Sequence, residues 1–238
     1  MTLFLWLLTS HFMGDFLLQP KSWTIHKLKE KIFSSRLYIH ILIHGVLASV
    51  VLFIDPFYWW IPILVMISHY LIDLGKIYSS KYFKSPLLFI IDQLLHIIVI
   101  VLLAYYVNPK VLNFNDIDLN SALLLIVVIL FISNVSGVIV KELIKPFTPE
   151  ANSDPNKSLS NAGKIIGILE RLFVFIFVVT NHWEGVGFLI AAKSILRFGD
   201  LKEARSRKLT EYVLIGTLIS FGLAFIGGLF YNYFVNII

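Results

Sequence analysis

Four stretches of this 238-residue chain set two ionisable side chains four residues apart inside apolar sequence: His11 and Asp15, His40 and His44, His69 and Asp73, Asp92 and His96. On a helix that spacing brings both members of a pair to one face. Ionisable groups inside a membrane helix are costly, so by default they mark a site. Neutral imidazole and carboxylate are the ligand types of zinc, iron and manganese. Helix bundles build dinuclear carboxylate centres from inward residues on facing helices. Eight donors are too many for one tetrahedral ion. Either two divalent ions bind, or one binds and some of the eight support its ligands. His40-Ile-Leu-Ile-His44 has the histidine spacing of zinc-protease helices but lacks the glutamate beside the first histidine, so that motif is absent. The alternatives for the same residues are a proton relay and a structural His–Asp network between helices.

The elements that must position these pairs are apolar runs. The chain is 58% hydrophobic and 15% charged, where a soluble domain is nearer half and a quarter. The class implied is all-α, a polytopic transmembrane helix bundle. Spans are expected over 3–18, 37–54, 58–75, 86–107, 121–143, 164–180 and 210–233, with 186–198 as an eighth that is short enough to be re-entrant. The first run carries His11 and Asp15 and has no basic region before it, so it reads as a retained helix and not as a signal peptide. Residues 20–36 read as a basic amphipathic loop. Two domains follow: residues 1–120 with the His/Asp pairs, and 121–238 with different chemistry. There is no cysteine, which excludes disulfides and thiolate metal sites.

Lysine and arginine set the orientation. With the N-terminus outside, loops 20–36, 76–86, 141–164 and 193–208 lie inside and hold 5, 3, 4 and 6 of the 20 basic residues. The net charge of +5 then reflects cytoplasmic loops and not a nucleic-acid partner. At about 1.5 Å per residue, all eight His and Asp residues fall in one layer of the cytoplasmic half. His11-Phe-Met-Gly-Asp15 and His69-Tyr-Leu-Ile-Asp73 also echo each other, as two parallel hairpins with converging sites would.

In the C-terminal half, Glu170, Arg171, Lys193, Arg197 and Glu211 lie near the same boundary. Arg171, Lys193 and Arg197 read as a cradle for a phosphate group, with Glu170 or Glu211 as a proton shuttle. The alternative is an ordinary ion-pair lattice. The glycines of this half read as helix-packing residues.

His11-x-x-x-Asp15 with Gln19, His69-x-x-x-Asp73-x-x-Lys76, Asp92-Gln93-x-x-His96, Gly167-x-x-Glu170-Arg171, Lys193-x-x-x-Arg197-Phe198 and the Glu211–Ser220 stretch resemble the domain-of-unknown-function 3307 family of prokaryotic integral membrane proteins. The first three motifs resemble its named domain, about residues 1–125, and the rest resemble the C-terminal extension of longer members. The resemblance implies an inner (cytoplasmic) membrane, multi-pass protein and carries no activity. A looser similarity is to membrane proteins described as metal-dependent hydrolases.

The expected function is a metal-dependent hydrolase using zinc, manganese or iron on a phosphate- or ester-bearing membrane lipid at the cytoplasmic leaflet. The alternatives are a divalent cation or proton transporter, which needs a polar path to the outer face, and a non-catalytic scaffold or sensor.

Overall fold

Long apolar runs with few turn residues leave helix as the only local solution that satisfies every backbone group without water. The computed structural model describes residues 2–53, 55–107, 117–148, 162–195 and 204–235, with 117–119 and 204–207 described by backbone alone. Among these residues all regular structure is helical. Five helical stretches are long and apolar enough to cross a membrane: 35–53, 56–79, 85–107, 120–147 and 208–235. The chain divides into two compact units, residues 1–127 and 128–237.

In the first unit, α1 (Thr2–Phe12) runs into a π-helical turn at Met13–Leu17. Then follow α2 (Lys21–Glu30), α3 (Ser35–Ala48, prolonged as 3-10 helix over Ser49–Phe53), α4 (Trp60–Ser79) and α5 (Ser85–Val107). The stretch expected as a basic loop is therefore mostly helical, with Pro20 extended just before α2. Asp55 caps the short turn into α4 by accepting from the Phe57 N–H at 2.9 Å. Packing of α1 on α3, α3 on α4, α4 on α5 and α5 back on α1 closes a four-helix ring.

Each ring helix turns one stripe inward. On α5 it is Leu88, Asp92, His96, Ile100 and Leu103; on α3 it is Leu37, His40, Ile41, His44 and Ala48. The outward faces are apolar, with Leu42, Val46, Ile67, Leu71, Leu94 and Leu102 exposed. Polar groups inside and aliphatic groups outside is the pattern of a protein whose solvent is lipid. Apolar packing brackets the ionisable layer on both sides. Leu7, Ala48, Val51, Ile61, Ile100 and Leu103 form one cluster, and Leu37, Ile41 and Ile77 form the other.

In the second unit, α6 (Ile117–Leu130, entering from the first) passes through a second π turn at Phe131–Val135 into α7 (Ser136–Ile144). Then come α8 (Ala162–Val179), α9 (Trp183–Ile195) and α10 (Ala204–Val235). Helix α10 packs on α8 and α7. The approach to α8 is close because Gly228 lies against Val178, where an added Cβ would come within 2.7 Å of the valine side chain. Small residues allow such helix contacts where burial from water drives nothing.

Candidate metal centre

The π turn is what aims the first helix. A π turn widens the helix by about one residue, which rotates Asp15 away from its α-helical position relative to His11. Gly14 sits in the same turn, and a Cβ built there would overlap the His44 imidazole. A glycine here lets α3 bring its histidine against the backbone of α1. His40 and His44 come from α3, His69 and Asp73 from α4, and Asp92 and His96 from α5, each on the inward stripe. All but Asp15 are buried, and the Asp15 side chain is 11% exposed.

Asp15 is the hub. Its Oδ1 lies 3.1 Å from His40 Nε2, 3.1 Å from His44 Nε2 and 3.4 Å from His69 Nε2. Its Oδ2 lies 3.8 Å from His11 Nε2. The imidazoles are packed face to face, with ring centroids 3.8 Å apart for His44–His69 and 4.0 Å for His69–His96. Three donor sets result: His11, Asp15, His44 and His69; His40, His69 and Asp73; Asp15, Asp92 and His96. Within each set the donor atoms lie within 4.8 Å of one another. The first two sets share His69, and the first and third share Asp15.

Hydrogen bonding alone serves this cluster poorly. His40 and His69 face each other Nε2 to Nε2 at 2.9 Å while both crowd the same carboxylate oxygen. A neutral imidazole has one donor and one acceptor nitrogen, so the two nitrogens cannot both donate to Asp15 and also bond to each other. Donors about 2.0–2.1 Å from a tetrahedral ion sit about 3.3 Å apart, close to the separations found around Asp15. Two further atoms, Asp92 Oδ1 and His96 Nε2, are buried without a hydrogen-bond partner and lie 3.7 Å from each other. Leaving such atoms unpaired costs about 1–3 kcal/mol each. Buried nitrogen and oxygen donors without thiolate can hold a zinc, manganese or iron ion.

Four more side chains brace the layer: Gln19, Lys76 and Gln93 stand in the motifs that carry the family resemblance but had no role there, and Lys27 stands in none of them. Gln93 is the most connected: its Nε2 donates to Asp15 Oδ2 and Asp92 Oδ2, both at 3.1 Å, and its Oε1 lies 3.2 Å from His11 Nε2. Gln19 reaches His40 Nε2 at 3.3 Å. Lys27, buried although it rides on the polar helix α2, places its ammonium 2.6 Å from Asp73 Oδ2. Lys76 donates to Asp92 Oδ2 at 2.7 Å. The available signal was spacing: Lys76 follows His69 and Asp73 at i+7 and i+3, on the same helix face. A small cavity opens beside the imidazoles of His11, His44, His69 and His96. Ser10 and Ser68 also line it, and its other walls are Leu7, Ala48, Val65, Val99 and Ile100.

The residues singled out in the C-terminal half lie in the second unit. Arg171 is buried on α8. Its Nε donates to the Ile132 carbonyl, its Nη2 to the Ser133 carbonyl at 2.9 Å and its Nη1 to Ser220 Oγ at 3.2 Å. Glu170 and Lys193 form a half-buried ion pair at 2.6 Å between α8 and α9. Glu211 is exposed near the start of α10. Arg197 lies outside the described residues.

Residues 3–125 match the family model described as "Protein of unknown function (DUF3307)". No curated protein matches the chain, and no solved structure does. The matched segment contains all three donor sets and the side chains that brace them.

Proposed function

The chain belongs to the DUF3307 family, whose description carries no activity, and we propose from the geometry of its first unit that it is a membrane-embedded, metal-dependent hydrolase of a phosphate- or ester-bearing lipid. In this reading all eight apolar runs cross the membrane with the N-terminus outside. The lysine and arginine count then puts the ionisable layer in the cytoplasmic half, within reach of a lipid's headgroup linkage.

One observation carries the step from metal binding to catalysis. Asp92 Oδ1 and His96 Nε2 are buried, make no hydrogen bond and face each other at 3.7 Å, and both belong to the donor set that contains Asp15. A purely structural site closes all its positions, whereas a catalytic one keeps a place for water or substrate. An ion at Asp15 would bring the pKa of its water to about 7 and polarise the scissile group. Asp92 is placed to take that water's proton: Lys76 and Gln93 hold its Oδ2 and leave Oδ1 free. His96 Nε2 is placed to donate to the oxygen that becomes negative. The cavity beside the imidazoles supports hydrolysis over transport, because its remaining walls are mostly aliphatic and offer no onward chain of ligands.

The test uses the full-length protein in detergent, with elemental analysis and release assays on a panel of phospholipids and lipid phosphates. The wild type should contain zinc, manganese or iron and turn over at least one lipid class. Asp92→Asn should keep the ion and lose about 10²–10⁴-fold in rate, the usual worth of a general base. A metal-free wild type, or an Asp92→Asn variant with full activity, ends the proposal.

A further inference from the structure

The three donor sets each contain a carboxylate, and the three carboxylates are not balanced alike. Asp73 has the Lys27 ammonium at 2.6 Å, and Asp92 has that of Lys76 at 2.7 Å. Among the described residues no lysine or arginine contacts Asp15; its neighbours are His11, His40, His44, His69 and Gln93. We infer that the centre holds a single divalent ion, bound at Asp15, and that Lys27 and Lys76 stand where further cations would otherwise sit. This rests on the reading that the layer binds a metal.

The physical reason is charge in a medium that does not screen it. Three carboxylates and two ammonium groups leave the layer with one net negative charge, the imidazoles being neutral. One divalent ion turns that to one positive charge, and one monoanion on the ion, a hydroxide or a substrate oxygen, returns it to zero. A second divalent ion would leave a charge of plus three in an apolar layer, where uncompensated charge is most costly. Geometry agrees. Lys27 is only 4% exposed on a helix that also carries the outward Lys29, whose side chain is 81% exposed. Its stem is drawn inward to the second donor set, and the ammonium sits on Asp73 Oδ2, the oxygen that lies 3.9 Å from His40 Nε2 of the same set. The third set retains Asp92 Oδ1 and His96 Nε2, which suit the water of an ion at Asp15.

The experiment counts ions per chain by elemental analysis after equilibration with zinc or manganese and removal of the excess. It compares the wild type with Lys27→Met, Lys76→Met and Lys27→Arg, each checked for monodispersity by gel filtration. One ion per chain is expected in the wild type and in Lys27→Arg, rising towards two in Lys27→Met. The double variant Lys27→Met with Asp73→Asn should return to one. If Lys27→Met does not fold, Lys76→Met decides, since the Lys76 side chain is 34% exposed and its loss disturbs packing less. Two ions in the wild type, or one ion in whichever methionine variants fold, overturns the inference and leaves the metal reading standing. A wild type with none overturns the metal reading itself.

Discussion

In the second unit a guanidinium enters the buried interior and finds an acceptor for each of its three nitrogens. The π turn at Phe131–Val135 lies where the Ile132 and Ser133 carbonyls accept from it, and Ser220 supplies the third acceptor. In the first unit a π turn at Met13–Leu17 does the reverse. It drives Asp15 among imidazoles that already crowd one another, and His40 Nδ1, Asp92 Oδ1 and His96 Nε2 are left buried without a hydrogen bond, as is Trp6 Nε1 elsewhere in the unit. Among the described residues no buried side-chain nitrogen or oxygen of the second unit is left in that condition. The same backbone device thus serves two ends. Where every polar group is matched within the protein, the arrangement holds helices together. Where the groups are set against one another, something from outside must complete them.

The sharpest way to break that comparison is to remove the hub. Asp15→Asn keeps the shape and deletes the charge. It should lower metal affinity by more than the 10–100-fold typical of losing a supporting partner, so that elemental analysis finds little or no ion. The metal-free protein should melt within a few degrees of the metal-free wild type, because the amide keeps an acceptor for the imidazoles and removes a buried charge, at the cost of the single bond from Gln93 Nε2 to Oδ2. A large drop in the metal-free midpoint would make the first unit as structural as the second. The counterpart is Arg171→Met. It strands two carbonyls and a hydroxyl, at about 1–3 kcal/mol for each group left unpaired. A thermal shift of several degrees is expected with metal content unchanged. Loss of the ion in Arg171→Met would show that the two units do not divide the work in this way.

The pairs at His11/Asp15, His40/His44, His69/Asp73 and Asp92/His96 were legible in sequence because a four-residue spacing within an apolar run has few other meanings on a helix. The helices were legible for the same reason, since apolar runs of that length have no other local solution in lipid. The bracing roles were not: Gln19, Lys76 and Gln93 stood in the quoted motifs with nothing to say what they touch, and Lys27 stood in none. Lys27 lies in a polar stretch read as a loop, and its burial depends on Asp73, 46 residues further on. Gln93 is uncharged and adjacent to Asp92, so no periodicity marks it. The π turn was hidden because its cause is tertiary: His44 presses on Gly14, and only the assembled ring shows that contact.

Gly14→Ala turns that contact into a smaller, graded test. The new methyl group must displace the His44 imidazole, and overpacking of this kind costs about 1–3 kcal/mol. If the π turn exists to seat His44 against Asp15, the loss appears as a 10–100-fold fall in metal affinity, measured by competition with a chelator. If it appears only in thermal stability, the turn is a packing feature and the contrast with Phe131–Val135 narrows.

The smallest effect is expected at Glu170, and its smallness is informative. Sequence alone allowed Glu170 to act as a proton shuttle and Lys193 to grip a phosphate. The structure pairs the two at 2.6 Å with both side chains partly exposed, and such pairs are worth about 0–1 kcal/mol. If the second unit settles its polar groups internally, Glu170→Gln should shift the midpoint by at most a degree or two and leave both metal content and lipid turnover as they were. A proton shuttle gives a different signature, with stability untouched and the rate falling by about 10²-fold or more. The two outcomes separate cleanly because one is read in melting and the other in turnover. A fall in rate would move part of the chemistry into the second unit, and the division between a matched unit and an unmatched one would no longer coincide with the division between scaffold and site.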